Sequence, residues 1–346
     1  MIYMLGALVS LLMLGRLPDR LGFRVMLMVS IVLTIFGTVL SMFATGAGVL
    51  LVGRFIVGLA ASIATPAGSA ALRLVLPAHL RPRMSLIYSL VMALGFGLGP
   101  FTGGVLGQVA AEPLVTSYWP TVLCGILALV GLVLFVRDDR RGRARVAIGD
   151  ILPKMTMPPV GTRMVFAVGC AGGFLGFSVF GLFATMVPLF VEQMMHLKGP
   201  MVSGVSIAAI FVFSALTQLS MQKAEAERTL RLGLAAFALC CLCLAVNLSL
   251  NMPVLFVLAV LGASVGHGMT LLGSMSLCNR IATVDNQAGL TATYMVVGYA
   301  GGVLSALGLG WGADRFGMQA SVAGFCSIMI VSSVAVIVTS LVTSKR

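Results

Sequence analysis

Charged side chains are scarce in this 346-residue chain. Ten Asp and Glu stand against 22 Lys and Arg, and all four types together make 9% of the residues, whereas hydrophobic types make 59%. Soluble domains are only about 45–50% apolar. A soluble core cannot absorb this much apolar surface, so the composition excludes an ordinary soluble domain and indicates that the bilayer is the solvent.

The chain also lacks the patterns of catalytic and metal sites. It has no Walker-type phosphate loop, no paired catalytic carboxylates and no nucleophile constellation. The seven cysteines lie within or at the ends of apolar runs, where they are typical of small buried hydrophobic residues. We therefore predict that the protein is not an enzyme, with no catalytic residues, no metal site and no cofactor.

Eleven apolar runs organise the chain. Only helices and closed barrels satisfy backbone groups in lipid, and barrel strands would alternate polar and apolar residues over about ten positions. These runs are apolar on every face, so we predict an all-α integral membrane protein with eleven spans. The first run is short for a span, which needs about 20 residues. The runs are 1–15, 25–44, 47–76, 84–110, 119–136, 164–190, 203–221, 230–250, 252–278, 290–311 and 318–343.

Basic residues follow the topology. Nineteen of the 22 lie in alternate linkers or at the C-terminus, and basic residues close to span ends stay cytoplasmic. We therefore predict a multi-pass protein with a cytoplasmic C-terminus. Because the excess positive charge is explained by topology, nucleic acid is excluded as a partner. The short linkers and the absence of an added domain favour a bacterial inner membrane, that is, a plasma membrane.

A basic, Pro-containing linker at residues 137–163 divides the chain. It separates an N-terminal bundle of five spans, 1–136, from a C-terminal bundle of six spans, 164–346. "GSAAL" at 68–72 and "GSMSL" at 273–277 occupy runs that are six apart. A six-span repeat predicts twelve spans, so we expect the missing helix to precede Met1.

A charged loop lies between the first two apolar runs. "GRLPDRLGFRVML", residues 15–27, resembles the signature loop of the major facilitator superfamily. The resemblance implies two pseudo-symmetric six-helix bundles, with equivalents of helices 2–6 in the first half and 7–12 in the second. In that family the loop joins the second and third helices, so the absent helix is the first.

Two further stretches resemble the drug:proton antiporter branch of that family. "RFIVGLAAS" (54–62) carries an Arg…Gly spacing of the branch, and "GLGPFTGG" (97–104) is similar to the antiporter signature. The resemblance implies export of small molecules coupled to protons. It also implies alternating access, in which one bundle rocks against the other around a site at the bilayer midplane.

The signature loop is the candidate conformational latch. Asp19 is expected to accept hydrogen bonds at the N-terminus of a helix that begins near Gly289, where a carboxylate is favoured by about 0.3–1 kcal/mol. Two glycines permit close approach and a sharp turn, and two arginines bind backbone carbonyls or lipid headgroups. A merely basic cytoplasmic turn is the alternative. The latch residues are Gly15, Asp19, Arg20, Gly22 and Arg24.

The glycine-rich stretch of the fourth run is a candidate helix-packing gate. Small residues let helices approach closely in lipid, and the proline bends the helix. The alternative is packing without a gating role. The predicted gate residues are Gly95, Gly99, Pro100, Gly103 and Gly104.

Five residues are candidates for the cavity. Arg54 is the one permanent charge inside a span that does not belong to a linker end, where it needs a wet cavity or a partner, or it snorkels to the interface. Gly58 and Thr65 share its helical face. No Asp or Glu lies deep in a run, so the proton carrier either precedes Met1 or is His267, which is otherwise a structural histidine. Tyr294 is a candidate cavity-wall contact.

We therefore predict a secondary active transporter, a proton-coupled exporter of small organic or amphipathic compounds. Its partners would be a small-molecule substrate, protons and the lipid bilayer, and we expect it to act as a monomer. A facilitator or importer of a small metabolite is the alternative within the same class. A truncated remnant that does not transport, or a membrane sensor, is the alternative from a different class.

Overall fold

The fold is described from a computed structural model. It describes residues 2–14, 17–136, 155–195, 199–250 and 252–343, with the side chains of all of these except residues 4, 19, 20 and 184–195. Within these ranges the protein is helical and no strand occurs. The prediction of an all-α membrane fold is confirmed.

Each predicted apolar run forms a helix. Within the described residues, ten helices are long and apolar enough to cross a membrane, and the first helix has 13 residues. The helices are α1 (Ile2–Leu14), α2 (Leu17–Leu21), α3 (Phe23–Met42), α4 (Ala47–Val75), α5 (Met84–Val109), α6 (Pro113–Thr116), α7 (Trp119–Phe135), α8 (Arg163–Met195), α9 (Pro200–Ser220), α10 (Ala226–Leu250), α11 (Pro253–Ile281), α12 (Gln287–Phe316) and α13 (Met318–Thr343).

The helices of the structure differ from the predicted apolar runs in two ways. Helix α12 begins three residues before its apolar run and ends five residues after it, because polar side chains continue a helix wherever its backbone bonds persist. The short helices α2 and α6 were not predicted, since four or five residues carry no periodic signal. Gly22 separates α2 from α3 at φ 89°, in the left-handed region that favours glycine.

The chain divides into two compact units. The first unit comprises Met1–Met84, Leu106–Pro159 and Ile281–Val296, and the second comprises the remaining segments. Each unit thus takes segments from both sequence halves. The division into bundles 1–136 and 164–346 stays a prediction, and most of the linker 137–163 lies outside the described residues.

In the first unit, small residues hold α4 against its neighbours. The Ser30 hydroxyl donates to the Ala60 carbonyl at 2.9 Å, which ties α3 to α4. Gly37 of α3 and Gly53 of α4 approach so closely that a Cβ on either would crowd the other's carbonyl oxygen. Close approach of this kind provides van der Waals packing, the main attraction between helices in lipid.

In the second unit, α11 is the central helix, with 16 buried residues between Phe256 and Cys278. A Cβ on Gly266 would collide with Phe237 of α10, and one on Gly268 would collide with the backbone of Ser214 in α9. Leucines, phenylalanines and cysteines, among them Cys240, fill the core around it. The packing of α11 therefore depends on positions without a side chain.

We predict that Gly58→Ala destabilises the protein and Gly68→Ala does not, although both lie on α4. A Cβ at Gly58 would collide with the carbonyl oxygen of Tyr3 in α1, whereas no atom lies within 4 Å of a Cβ at Gly68. Overpacking costs about 1–3 kcal/mol, while alanine favours a helix over glycine by about 1 kcal/mol. Thermal unfolding in detergent measures the difference. Equal melting temperatures would contradict the packing of α1 on α4 at this position.

Candidate functional site

The predicted latch is described in part. Gly15 lies outside the described residues, and the side chains of Asp19 and Arg20 lie outside the described part of α2. Gly22 makes the turn between α2 and α3. The Arg24 guanidinium donates to the Val133 carbonyl at 3.2 Å, in the last turn of α7, where a cation is favoured by the helix dipole. The latching role stays a prediction.

A buried polar network joins α4 to the beginning of α12. The Gln287 side-chain amide donates to the Ser69 hydroxyl at 2.7 Å, and the Arg73 Nε donates to the Gln287 Oε1 at 2.8 Å. Ser69 also shares a hydrogen bond of 2.9 Å with Thr291. We call these four residues the α4–α12 network. Ser69, Gln287 and Thr291 are at most 2% exposed, whereas Arg73 at the edge of the network is only partly buried.

The segment that precedes α8 packs on the same end of α12. The Thr156 backbone N–H donates to the Thr293 hydroxyl at 2.9 Å, and the geometry also allows that hydroxyl to donate to the Thr156 carbonyl at 3.1 Å. A Cβ at Gly289 would collide with the Thr156 side chain. The first turns of α12 are therefore held both by α4 and by this segment.

Sequence reasoning missed most of these residues. Arg73 was counted only as topological charge, and Gln287 and Thr156 were not singled out. The signal was the repeat: Ser69 lies in "GSAAL", one of the two matching motifs.

Arg54 has a partner immediately before α7. Its guanidinium donates to the Tyr118 hydroxyl at 2.7 Å and lies 5.1 Å from the centre of that ring, a cation–π distance. Gly58 packs against Tyr3 instead of facing a cavity, and Thr65 donates to the Ala61 carbonyl of its own helix. The partner Tyr118 was not predicted because it lies 64 residues away.

The glycines of α5 divide into two kinds. Gly104 meets Gly204 of α9 at a close crossing, where a Cβ on Gly204 would collide with the Pro100 carbonyl oxygen. A Cβ on Gly95, Gly99 or Gly103 would meet nothing within 4 Å. Only part of the predicted gate therefore makes a tight helix contact in this conformation, and the gating role stays a prediction.

His267 lies beside an aromatic cluster in the second unit. Its ring centroid is 5.3 Å from that of Phe211, edge to face, and 5.9 Å from that of Phe180. Neighbouring ring centroids within the cluster are 5.0 to 6.4 Å apart, as expected for packed aromatic pairs. The cluster consists of Phe96, Phe177, Phe180, Phe211 and Tyr299.

A short chain of hydrogen bonds leads away from His267. Its Nδ1 lies 2.9 Å from the Ser214 hydroxyl, to which the Gln218 amide donates at 3.3 Å. In the described part of the protein, Nδ1 is the one acceptor found for the Ser214 hydrogen. When Ser214 donates to Nδ1, that nitrogen is unprotonated and the ring hydrogen of a neutral His267 lies on Nε2; the same distance also fits a protonated Nδ1 that donates to the hydroxyl. Among the described residues, the buried Oε1 atom of Gln218 has no hydrogen-bond partner.

Tyr294 is fully buried in the first unit. Contact between its side chain and a substrate would therefore require α12 to move. The described residues contain no group of three or more His, Cys, Asp or Glu side chains that could hold a metal ion.

The helices define a multi-pass membrane protein with two buried polar clusters and one aromatic cluster. Residues 1–306 match the family model described as the Major Facilitator Superfamily. The chain belongs to this superfamily, and the resemblance found in the signature loop is confirmed.

Curated relatives are similar over about a third of their own length or less. The tetracycline resistance protein, class H, of Pasteurella multocida is 31% identical over 134 residues, 39% of this chain and 32% of that protein. The quinolone resistance protein NorA of Staphylococcus aureus (strain MRSA252) is 30% identical over 129 residues, which are 37% of this chain and 32% of that protein. The arabinose-proton symporter of Escherichia coli (strain K12) is 31% identical over 133 residues, which are 38% of this chain and 26% of that protein.

Solved structures show the same fold. The human organic anion transporter MFSD10 (TETRAN) superposes with a TM-score of 0.74 at 16% identity, over 97% of this chain and 82% of that chain. The proton:xylose symporter XylE superposes with a TM-score of 0.76 at 12% identity, over 96% of this chain and 83% of that chain. The major facilitator fold is therefore shown over nearly the whole chain.

We predict that Gln287→Leu lowers the melting temperature, because it removes the hydrogen-bond partner of Arg73 and Ser69. Ser69 keeps its hydrogen bond with Thr291, so the expected cost is that of the lost hydrogen bonds, about 0.5–1.5 kcal/mol each. Gln287→Glu keeps an acceptor for Arg73, so its melting temperature should lie between those of Gln287→Leu and the wild type. The control is Gln222→Leu, at an exposed position after α9. Equal unfolding curves for the two leucine variants would contradict a stabilising α4–α12 network.

Proposed function

We propose that this protein is a secondary active transporter, a proton-coupled exporter of small organic or amphipathic compounds that works by alternating access. Membership of the superfamily supports transport over catalysis. Two similar proteins are named for resistance to tetracycline and to quinolones, which supports export. The observation that carries the proposal is the aromatic cluster beside the buried His267.

The chemistry of the cluster favours a substrate with an aromatic or apolar part. All five residues of the cluster have aromatic side chains. His267 packs against the rings of Phe180 and Phe211 and lies within hydrogen-bond distance of Ser214, and none of these three side chains carries a charge. Such a surface binds through ring stacking and apolar contact. A sugar needs several hydrogen-bonding groups, which these five rings do not supply.

His267 is the proposed proton carrier. In one of the two hydrogen-bond arrangements that the geometry allows, His267 is neutral and its Nδ1 accepts from Ser214. Protonation would turn Nδ1 into a donor, so the Ser214 hydrogen would need another acceptor. The unpartnered Oε1 of Gln218 becomes that acceptor if the amide turns over. Proton binding at His267 would in this way rearrange the side chains of Ser214 and Gln218 on α9.

The remaining predicted residues have proposed roles at the two ends of the transport path. Gly104 and its crossing with Gly204 restrict separation of α5 from α9. The latch around Asp19 would act together with the α4–α12 network, since it is expected at the helix end that begins near Gly289. Arg54 would respond to proton loading through its bond with Tyr118.

Import is the second candidate function, and one observation favours it. The arabinose-proton symporter is as similar to this chain as the resistance proteins are. A proton symporter would need the same proton carrier but the opposite direction of substrate movement. The direction is therefore decided by a transport measurement.

We predict that proteoliposomes containing this protein move tetracycline or a quinolone against a concentration gradient when a pH gradient is imposed. His267→Gln should reduce this pH-driven accumulation by about 5- to 150-fold, the range of typical coupling energies, because glutamine cannot carry a proton at this position. The control is His79→Gln, at an exposed position between α4 and α5.

Transport of arabinose with neither drug moving would favour the importer. No movement of any of the three probes would count against the exporter and favour a protein that does not transport. Unchanged pH dependence in His267→Gln would assign the proton to another group. Nitrogen NMR of the imidazole in a His79→Gln, His196→Gln background reports independently whether His267 carries its hydrogen on Nε2.

We also predict that Asp19→Asn leaves the amount of protein in the membrane unchanged and reduces transport. Asparagine keeps the size of the side chain but loses the charge that favours a helix N-terminus. Immunoblots of membranes and the proteoliposome assay measure the two quantities. Full transport by the variant would count against the latch and favour a merely basic turn.

A further inference from the structure

A small polar pocket lies at one end of the second unit, between the first turns of α8 and α10 and the last turns of α11 and α13. Its volume is about 200 Å³, smaller than the roughly 300–1,000 Å³ of sites for drug-sized ligands. Two valines of α8 and a leucine of α11 form its apolar wall, and its polar lining consists of Glu227, Arg280, Ser340 and Thr343. The pocket therefore has room for a group of a few atoms that makes hydrogen bonds.

An ion pair holds the Arg280 side chain at the pocket. Its Nη2 lies 2.5 Å from the Glu227 Oε1, which joins the end of α11 to the beginning of α10. The Arg280 side chain is 54% exposed. A guanidinium has five N–H donors, and the bond to Glu227 uses one of them, so donors remain for a second acceptor.

Positive charge exceeds negative charge around this ion pair. Arg231, one turn after Glu227 on α10, interacts electrostatically with the same carboxylate. The buried Nη1 of Arg231 has no hydrogen-bond partner among the described residues. Two guanidinium groups thus surround one carboxylate and leave one net positive charge, which favours an anion in the pocket over a cation.

The Ser340 hydroxyl is a further group available to a ligand. Ser340 is 2% exposed, and within the described part of the protein its oxygen has no hydrogen-bond partner. The nearby hydroxyls of Thr339 and Thr343 differ, because each donates to a carbonyl one turn earlier on α13. A buried hydroxyl without a partner costs free energy, and an oxygen atom bound in the pocket would supply that partner.

We propose that this pocket binds a phosphate group. Arg280 donates to the phosphate oxygens, as guanidinium groups do in phosphate recognition, and Ser340 donates to another oxygen. Glu227 is a positioning residue, because it fixes the guanidinium beside the pocket. A phosphate has oxygens in four directions and bonds to donors on two helices at once, which a planar carboxylate does less well. The shared chemistry is the phosphate, whether a lipid headgroup or a soluble compound supplies it.

Binding is tested on the full chain in dodecyl maltoside, a detergent without phosphate, by equilibrium dialysis with radioactive inorganic phosphate. We expect saturable binding to a single site. Arg280→Gln should weaken it by about tenfold, equivalent to about 1.4 kcal/mol. The matched control is Arg228→Gln, which removes the same charge at an exposed position of α10 outside the pocket lining. Equal loss in both variants would overturn the site, since it would show a general attraction to basic helix ends.

A second variant, Ser340→Ala, keeps the ion pair and every charge. Since the hydroxyl has no partner among the described residues, its removal should not lower the melting temperature without phosphate. A bound ligand raises the melting temperature, and the rise with phosphate should be smaller in Ser340→Ala, as for binding weakened by about 2- to 10-fold on losing one hydrogen bond. The control is Ser327→Ala, an exposed serine of the same helix. An equal rise in the two alanine variants would overturn the proposal, even if Arg280→Gln does not fold.

Native mass spectrometry with added phosphatidylglycerol identifies the source of the phosphate. A headgroup site predicts that the wild type and Arg228→Gln retain this lipid, that Arg280→Gln loses it, and that inorganic phosphate displaces it. Binding of inorganic phosphate without retention of the lipid would assign the pocket to a soluble phosphate compound. Failure of both probes would overturn the proposal, and so would an equal rise in melting temperature with sodium chloride at the same ionic strength. Because every readout is binding, the result does not depend on the proposed transport function.

Discussion

The structure depends on one constraint: a polar group inside a bilayer has no water to bond, so it must find its partner within the protein. Some of the buried polar side chains follow this rule in pairs and chains, whereas the hydroxyls of Ser62 and Thr270 are buried with no hydrogen-bond partner among the described residues. Gln287 bonds to Ser69 and Arg73, and His267 to Ser214. Each such pair joins two helices, so the hydrogen bonds that satisfy the side chains also fix which helices are neighbours. The amide oxygen of Gln218, buried without a partner, is a place where a second arrangement is available.

Small residues satisfy the second requirement of the membrane, close packing without a hydrophobic driving force between helices. The crossing of α5 and α9 at Gly104 and Gly204, and the contact of Gly58 with Tyr3, bring backbones nearly into contact. Such contacts are short-ranged and carry few hydrogen bonds, so breaking them leaves no buried group unsatisfied. Glycine contacts and polar networks together suit a protein whose helices must hold together and also separate.

Some parts of the candidate site were predictable from local sequence. Gly22 lies at a turn of positive φ, as its place in the signature loop suggests, and Arg54 has the partner that a charge inside a span requires. The identity of that partner, Tyr118, was not predictable. Neither was the bond of Arg73 to Gln287, because the two residues are separated by 214 positions and no local pattern relates them.

The sequence by itself determined that the chain spans the membrane as helices, where those helices lie, and to which superfamily the chain belongs. Length and apolar composition decide the first two features, since each helix satisfies its own backbone, and the signature loop at residues 15–27 indicates the superfamily. Only the tertiary structure decided which face of each helix packs against which neighbouring helix. Runs that are apolar on every side carry no amphipathic signal for the rotation of a helix about its axis. That rotation is set by matches between distant residues, such as Gly104 with Gly204 and Ser214 with His267.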